Sequence, residues 1–268
     1  MINLIIWSKD RAAQLDILLD SIRLFTPYVE PTVIYKASNA LYKEAYDILF
    51  RRHGVEYLEE NGASLKSLTL EALRKKSEVT GFSTDDTFIY DNPDVSGEDI
   101  LGVFNDELTD VFSMRLGYNT IVQNPHDGSL QPRLRGEQVL DNMLRWNFNH
   151  YHPLHNYGYP FGLDMHFYRR DIIASLVHEV PWNTTNQLES ALFSLRHRIR
   201  PFIMSPKISC AVNVPINNHS GVTISGKTYD YSPEWLNEQF LDGARFWPYY
   251  ESKDIVGCHQ ELRLDRIS

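Results

Sequence analysis

GFSTDDTFIY, residues 81–90, sets two adjacent carboxylates, Asp85 and Asp86, inside an otherwise apolar run. Neighbouring carboxylates in a buried strand repel each other and resist losing water. The stretch therefore reads as a strand whose acidic pair stands at the mouth of a site.

What precedes it decides the kind of sheet. NLIIW is an apolar run of strand length, followed by the polar turn SKDR. AAQLDILLDSIRLF then places Leu15, Leu18, Leu19, Ile22 and Phe25 at helical spacing, with Pro27 as a stop. TVIYKAS is a second strand, and ALYKEAYDILFRRHG a second helix with Leu41, Ala45, Ile48 and Leu49 on one face and Gly54 at its end. VEYLEE is a third strand, and SLKSLTLEALRKKSEV a third helix with its basic residues at the C-terminal end, where the helix dipole favours them. Strand and helix alternating three times before a fourth strand predict an α/β fold with helices on the faces of a largely parallel sheet.

Ligands of such sheets bind at the carboxyl ends of the strands. The turns after the first two strands should share a rim with the acidic pair, which makes Ser8, Lys9, Asp10, Arg11, Ser38 and Asp85 candidate contacts for a nucleotide. Neither a GxGxxG nor a GxxxxGK[ST] motif occurs, so the glycines of a backbone phosphate cradle are missing. A divalent cation held by Asp85 and Asp86 is the substitute. Mg2+ and Mn2+ take one or two protein carboxylates and complete their shells with water and phosphate oxygens.

An α/β half whose fourth strand ends in an acidic pair resembles the GT-A glycosyltransferases, family-2-like members of the nucleotide-diphospho-sugar transferase superfamily. Ser83-Thr84-Asp85-Asp86 corresponds to their DxD motif, here with DD spacing. WSKDRAAQLDILLDSI resembles the opening of that family, YPFGLDMHFYRRDII its acceptor-side stretch and NTTNQLESALF its later acidic helix start. AVNVPINNH supplies a late strand with a histidine. These segments follow the family's order over roughly residues 3–220. The resemblance implies a single GT-A-like domain over 1–268, with a mixed central sheet. A Rossmann-like nucleotide-sugar-binding half would span 1–92, an acceptor half 93–225 and a C-terminal helical extension 226–268. It implies a hexosyltransferase-like enzyme that moves a sugar from a nucleotide-diphosphate donor to a carbohydrate or other hydroxyl acceptor, with inversion. Asp85, Asp86 and His219 would hold the metal. Glu189, behind Asn186 as helix N-cap, is the candidate general base, and Asp164 its rival. A non-catalytic binding relative and a sugar-phosphate nucleotidyltransferase are the competing functions. The latter usually needs a Gly-rich loop that IIWSKDRAAQ lacks.

Each candidate has a plainer reading. The acidic pair would serve as a solvated turn or a cap, Glu189 as a first-turn glutamate stabilised by the helix dipole, and His219 as loop material. His150, His152, His155 and His166 lie in WNFNHYHPLHNYGYPFGLDMH, where Pro153 excludes a regular helix and the spacing departs from that of helical zinc sites. Sugar contact through the aromatic faces is the preferred reading there. Arg133 and Arg135 in RLRGEQVL are candidates to meet phosphate on the acceptor side.

The whole-chain numbers bound the partners. With 26 basic and 35 acidic residues among 268, the net charge is -9, so the chain has no general electrostatic grip on nucleic acid. Two cysteines, Cys210 and Cys258, form no framework or CxxC pair, and no run is long enough to span a bilayer. A cytoplasmic protein is expected.

Overall fold

The computed structural model describes residues 2–124, 128–135, 137–140, 142–216 and 231–267. The first half alternates as anticipated: β1 (Ile2–Lys9), α1 (Ala12–Phe25), β2 (Val29–Lys36), α2 (Ala40–His53), β3 (Glu56–Glu59), α3 (Leu65–Ala72) and β4 (Val79–Thr84). After it come β5 (Thr87–Ile89), α4 (Gly97–Val103), β6 (Thr109–Ser113), β7 (Val122–Asn124), β8 (Ser129–Leu130), β9 (Glu137–Leu140) and β10 (Met143–Asn147). β11 (His166–Arg169), α5 (Arg170–Glu179), α6 (Thr185–Ser194), β12 (Phe202–Pro206) and β13 (Ala211–Asn213) follow, and α7 (Pro233–Leu241), β14 (Phe246–Tyr249) and β15 (Arg263–Arg266) complete the order.

The central sheet has nine strands among the described residues, in the order β3-β2-β1-β4-β11-β6-β12-β10-β9. β1 to β4 are parallel; β11 runs antiparallel to both β4 and β6, and β12 returns parallel to β6. This is the α/β class with a mixed sheet that the sequence led us to expect. One apolar cluster joins α1 and α2 to the sheet and takes in Leu236 and Phe240 of α7; the other contains side chains of α3, α5 and α6. In α1, Leu15, Leu18 and Ile22 are all buried, and burying a side chain of this size stabilises by roughly 1.5–3 kcal/mol. α7 begins as its sequence indicates, with Ser232 accepting from the Trp235 N–H and Pro233 in the first turn.

Three local readings change. Residues 81–90 are not one strand: β4 ends at Thr84, the acidic pair forms the turn, and β5 leaves the sheet to pair with β13. The Asp85 N–H donates to the Trp7 carbonyl at 3.2 Å, so the contact with β1 reaches the first aspartate before the chain departs. α3 stops at Ala72, because the Arg74 and Lys75 N–H groups turn back on carbonyls three residues earlier and the basic cluster lies beyond the helix. On α2 the packed stripe is Tyr42, Ala45, Tyr46, Leu49 and Phe50, while Leu41 is exposed. Gly54 ends α2 in the left-handed conformation, with φ 63°. Among the described residues no helix is long and apolar enough to cross a membrane.

Candidate active site

The carboxyl ends of β1 and β4 converge, as a parallel pair must. Asp85 is buried there and accepts from Ser8 Oγ at 2.8 Å, the Lys9 backbone N–H at 3.2 Å and Arg11 Nη1 at 3.1 Å. Ser8 also meets the Tyr46 hydroxyl at 2.6 Å, and the Arg11 N–H donates to the same hydroxyl at 3.1 Å. Burial pushes the Asp85 carboxyl up to about 6; Arg11 opposes the rise and Asp86 adds to it. Burial works against the Arg11 charge, but the two aspartates outweigh it and hold its pKa above the ordinary value.

Asp86 keeps more of its surface. Its Oδ2 lies 3.6 Å from Arg11 Nη1, and its Oδ1 accepts from Thr84 Oγ1 at 2.7 Å and Asn213 Nδ2 at 2.9 Å. Thr84 Oγ1 also stands 2.5 Å from Asp164 Oδ1. A hydroxyl has one hydrogen to give, so Thr84 donates to one of these two carboxylates at a time. The crevice beside the pair, between Gln14, Ile17 and Val214, has a volume of about 10 Å³, room for about one water.

Asp164 links this rim to the second half of the chain. Arg115 Nη1, from the loop after β6, donates to its Oδ2 at 2.9 Å. Glu189, half-buried on α6, is pushed up to about 7 by burial and then by Asp164, while Arg115 and the Leu163 N–H restrain the rise. His166 is fully enclosed. Burial, then Arg115, lowers its pKa to about 3, so its ring is neutral at pH 7.

The structure thus brings Ser8, Lys9, Arg11, Asp85 and Asp86 to one rim and connects Asp164 to it through Thr84. Glu189 joins through its electrostatic coupling to Asp164 and Arg115. Asp10 forms a neighbouring corner: its backbone has φ 57°, and its carboxylate accepts from the Ser38 N–H and Oγ, both at 2.7 Å. His219 lies outside the described residues. The N-cap of α6 is Thr184, not Asn186: its hydroxyl accepts from the Gln187 N–H, which puts Glu189 in the second helical turn, beyond the first-turn dipole contact. Arg115, Tyr46 and Asn213 were missed in the sequence, and Thr84 was named there only as part of the acidic motif. Arg115 alone had a visible signal, a basic residue just past the apolar strand TDVFS.

Does this donor set suit a divalent cation? Among the described residues no group of three or more His, Cys, Asp or Glu is arranged to hold a metal. A hard ion that takes one carboxylate and completes its shell with water and phosphate oxygens nevertheless suits Asp86, the more exposed carboxylate of the pair. Asp85 suits it less, because it is enclosed with Arg11.

No family model matches the chain, and no curated protein does. Solved structures give slight likenesses. S. aureus TarS 1–349 in complex with UDP is 14% identical, with a TM-score of 0.47 over 73% of this chain and 54% of TarS. A cytidylyltransferase from Leptospira borgpetersenii serovar Hardjo-bovis is 9% identical, with a TM-score of 0.45 over 74% of this chain and 73% of its own. The mannosyltransferase PcManGT from Pyrobaculum calidifontis, in complex with GDP-Man and Mn2+, is 17% identical, with a TM-score of 0.32 over 47% of this chain and 36% of its own. The match with TarS 1–349 spans about half of that chain's length. Likeness at this level carries no conclusion about this chain's ligand or reaction.

Proposed function

We propose that the chain is a GT-A-like glycosyltransferase that transfers a sugar from a nucleotide-diphosphate sugar to a hydroxyl acceptor with inversion. The observation that carries this is the arrangement about Thr84, with the Arg11–Asp85–Asp86 rim on one side and Asp164, Arg115 and Glu189 on the other. A transfer to a hydroxyl needs positive charge where the diphosphate departs and a proton acceptor where the hydroxyl attacks. The rim sets two carboxylates against one guanidinium, so the positive charge would be that of a cation at Asp86, and Glu189 would accept the proton.

The donor lies along the open rim, since the crevice beside the aspartates admits about one water. Arg11, ion-paired with Asp85 and close to Asp86, fixes the acidic pair at the rim. Asp86 would hold a divalent cation, which when bound supplies Lewis-acid neutralisation of the leaving diphosphate. Ser38 and Asp10 form a corner suited to ribose hydroxyls or a base N–H. Glu189 takes the acceptor's proton: a pKa of about 7 lies near neutral pH, where a general base combines ionisation with basicity. Asp164, tied to Arg115 and Thr84, positions the network. The carboxylate base implies a single displacement.

The deciding experiment incubates the protein with UDP- and GDP-sugars, with and without Mn2+, and follows nucleoside diphosphate release and thermal stabilisation. Metal-dependent stabilisation with release supports the reading. Donor binding without release or transfer would mark a non-catalytic binding protein. Pyrophosphate release from a nucleoside triphosphate would make it a nucleotidyltransferase.

A further inference from the structure

A cavity of about 610 Å³ shares no lining residue with the crevice beside Asp85. Arg133 and Arg135 line it from one segment, and His150, Tyr151, His152 and His155 from another. Among the described residues no carboxylate lines it, although the chain as a whole carries a net charge of -9. Among the same residues neither guanidinium has an ion-pair partner. A concentration of cationic and N–H-bearing groups in an acidic protein favours an anion there.

The cavity wall is held in shape by hydrogen bonds. The Arg135 N–H donates to the Tyr151 hydroxyl at 2.6 Å, which ties the arginine segment to the histidine turn. Within that turn the His155 N–H donates to the His152 carbonyl at 2.9 Å, and the Gly158 N–H to the His155 carbonyl at 2.8 Å. Gly158 packs so closely that a Cβ there would lie 2.3 Å from the His152 carbonyl oxygen. The Leu154 N–H donates to His152 Nδ1 at 3.3 Å. His155 Nδ1 is buried without a partner among the described residues.

We propose that this cavity binds a phosphate ester, the phosphorylated end of a carbohydrate or polyol. A planar carboxylate is satisfied by one guanidinium fork. Two guanidiniums with imidazole N–H groups around them match a tetrahedral group that accepts from several directions. The volume lies within the range of about 300–1,000 Å³ typical of small-molecule sites, and Tyr151 and Pro132 offer apolar surface to a carbon skeleton. This binding does not rest on the transferase reading.

Calorimetric titration of glycerol 3-phosphate at low salt tests the site, with glucuronate and a nucleoside diphosphate as comparisons. Glycerol 3-phosphate is expected to bind in the millimolar range or tighter, and Arg133→Ala/Arg135→Ala to weaken it by about tenfold or more, since charge-assisted bonds are the strong ones. Glucuronate should bind more weakly, and nucleoside diphosphate affinity should be unaltered in the double variant. No binding of glycerol 3-phosphate, undiminished binding in the double variant, or equal affinity for glucuronate overturns the proposal. Loss of nucleoside diphosphate affinity in the double variant also overturns it, because the cavity would then belong to the donor. If the double variant melts early, the single variants Arg135→Gln and His155→Gln decide: unchanged glycerol 3-phosphate affinity in both rejects the site. Binding without any sugar transfer would count against the transferase reading and leave this site standing.

Discussion

Arg11 Nη1 lies 3.1 Å from Asp85 Oδ1, with 12% of the arginine side chain and 5% of the aspartate side chain exposed. The pair lies at the carboxyl ends of two parallel strands, and each charge is tolerable there because of the other. Removing one member leaves the other charged and enclosed, which typically costs about 3–5 kcal/mol. Arg11→Met should therefore lower the thermal midpoint markedly, as calorimetry would show. Asp86→Ala, at a more exposed carboxylate, should cost much less stability while abolishing metal-dependent nucleoside diphosphate binding. An Asp86→Ala protein with intact metal-dependent binding would remove Asp86 from the metal site.

Glu189→Gln keeps the shape of the side chain but cannot accept a proton. Donor affinity should be retained, and turnover should fall by about a hundredfold to ten-thousandfold. If Glu189 is the base of the proposed transfer, kcat of the unaltered protein should rise with pH through about 7, the value to which burial and Asp164 push Glu189. Asp164→Asn is the comparison. Full turnover in Glu189→Gln with a dead Asp164→Asn would transfer the role of base to Asp164, and full activity in both would rule out a carboxylate base at either position.

Asp85 and Glu189 also make stability depend on pH. Their folded-state values of about 6 and about 7 lie above their ordinary values of 3.8 and 4.5. Between those limits the folded chain holds more protons than the unfolded one, so their effect is to lower stability as pH rises. The Asp85 loss runs from 3.8 to about 6 and the Glu189 loss from 4.5 to about 7, with nothing further lost above the folded values. A tenfold gain in proton affinity on folding corresponds to roughly 1.4 kcal/mol; the Glu189 contribution falls below that scale because solvent screens the surface it keeps exposed. Urea unfolding across this range should show Glu189→Gln flattening the upper part of the decline. An unchanged slope would reject the raised value.

Two glycines separate packing from propensity. A Cβ on Gly117 would stand 2.3 Å from the Ser209 backbone nitrogen and 2.8 Å from the Ile208 carbonyl carbon, whereas one on Gly102 meets nothing within 4 Å. Gly117→Ala should destabilise by about 1–3 kcal/mol or more through backbone displacement. Gly102→Ala, within α4, should stabilise by up to about 1 kcal/mol. Chemical denaturation of the two variants measures both signs.

The sequence by itself determined those features governed by neighbours along the chain. Apolar spacing established α1, the side chain of Ser232 with Pro233 marked the start of α7, and Gly54 ended α2. The strand–helix rhythm predicted parallel β1 to β4, and with it the common rim of Ser8, Arg11 and Asp85. It did not reveal that the chain turns at Asp85 and Asp86, because β5 is stabilised by β13, more than a hundred residues later. Nor did it reveal the partners of the two site aspartates. Arg11 meets Asp85 from 74 positions away, and Arg115 meets Asp164 from 49 positions away. Glu189 was a candidate base by resemblance, with a first-turn glutamate as its plainer reading, whereas its raised proton affinity depends on burial and on Asp164. Pairing of distant charges and loss of solvent are properties of the packed chain, so only the tertiary structure decided which carboxylates are ion-paired and which have their proton affinity raised by burial.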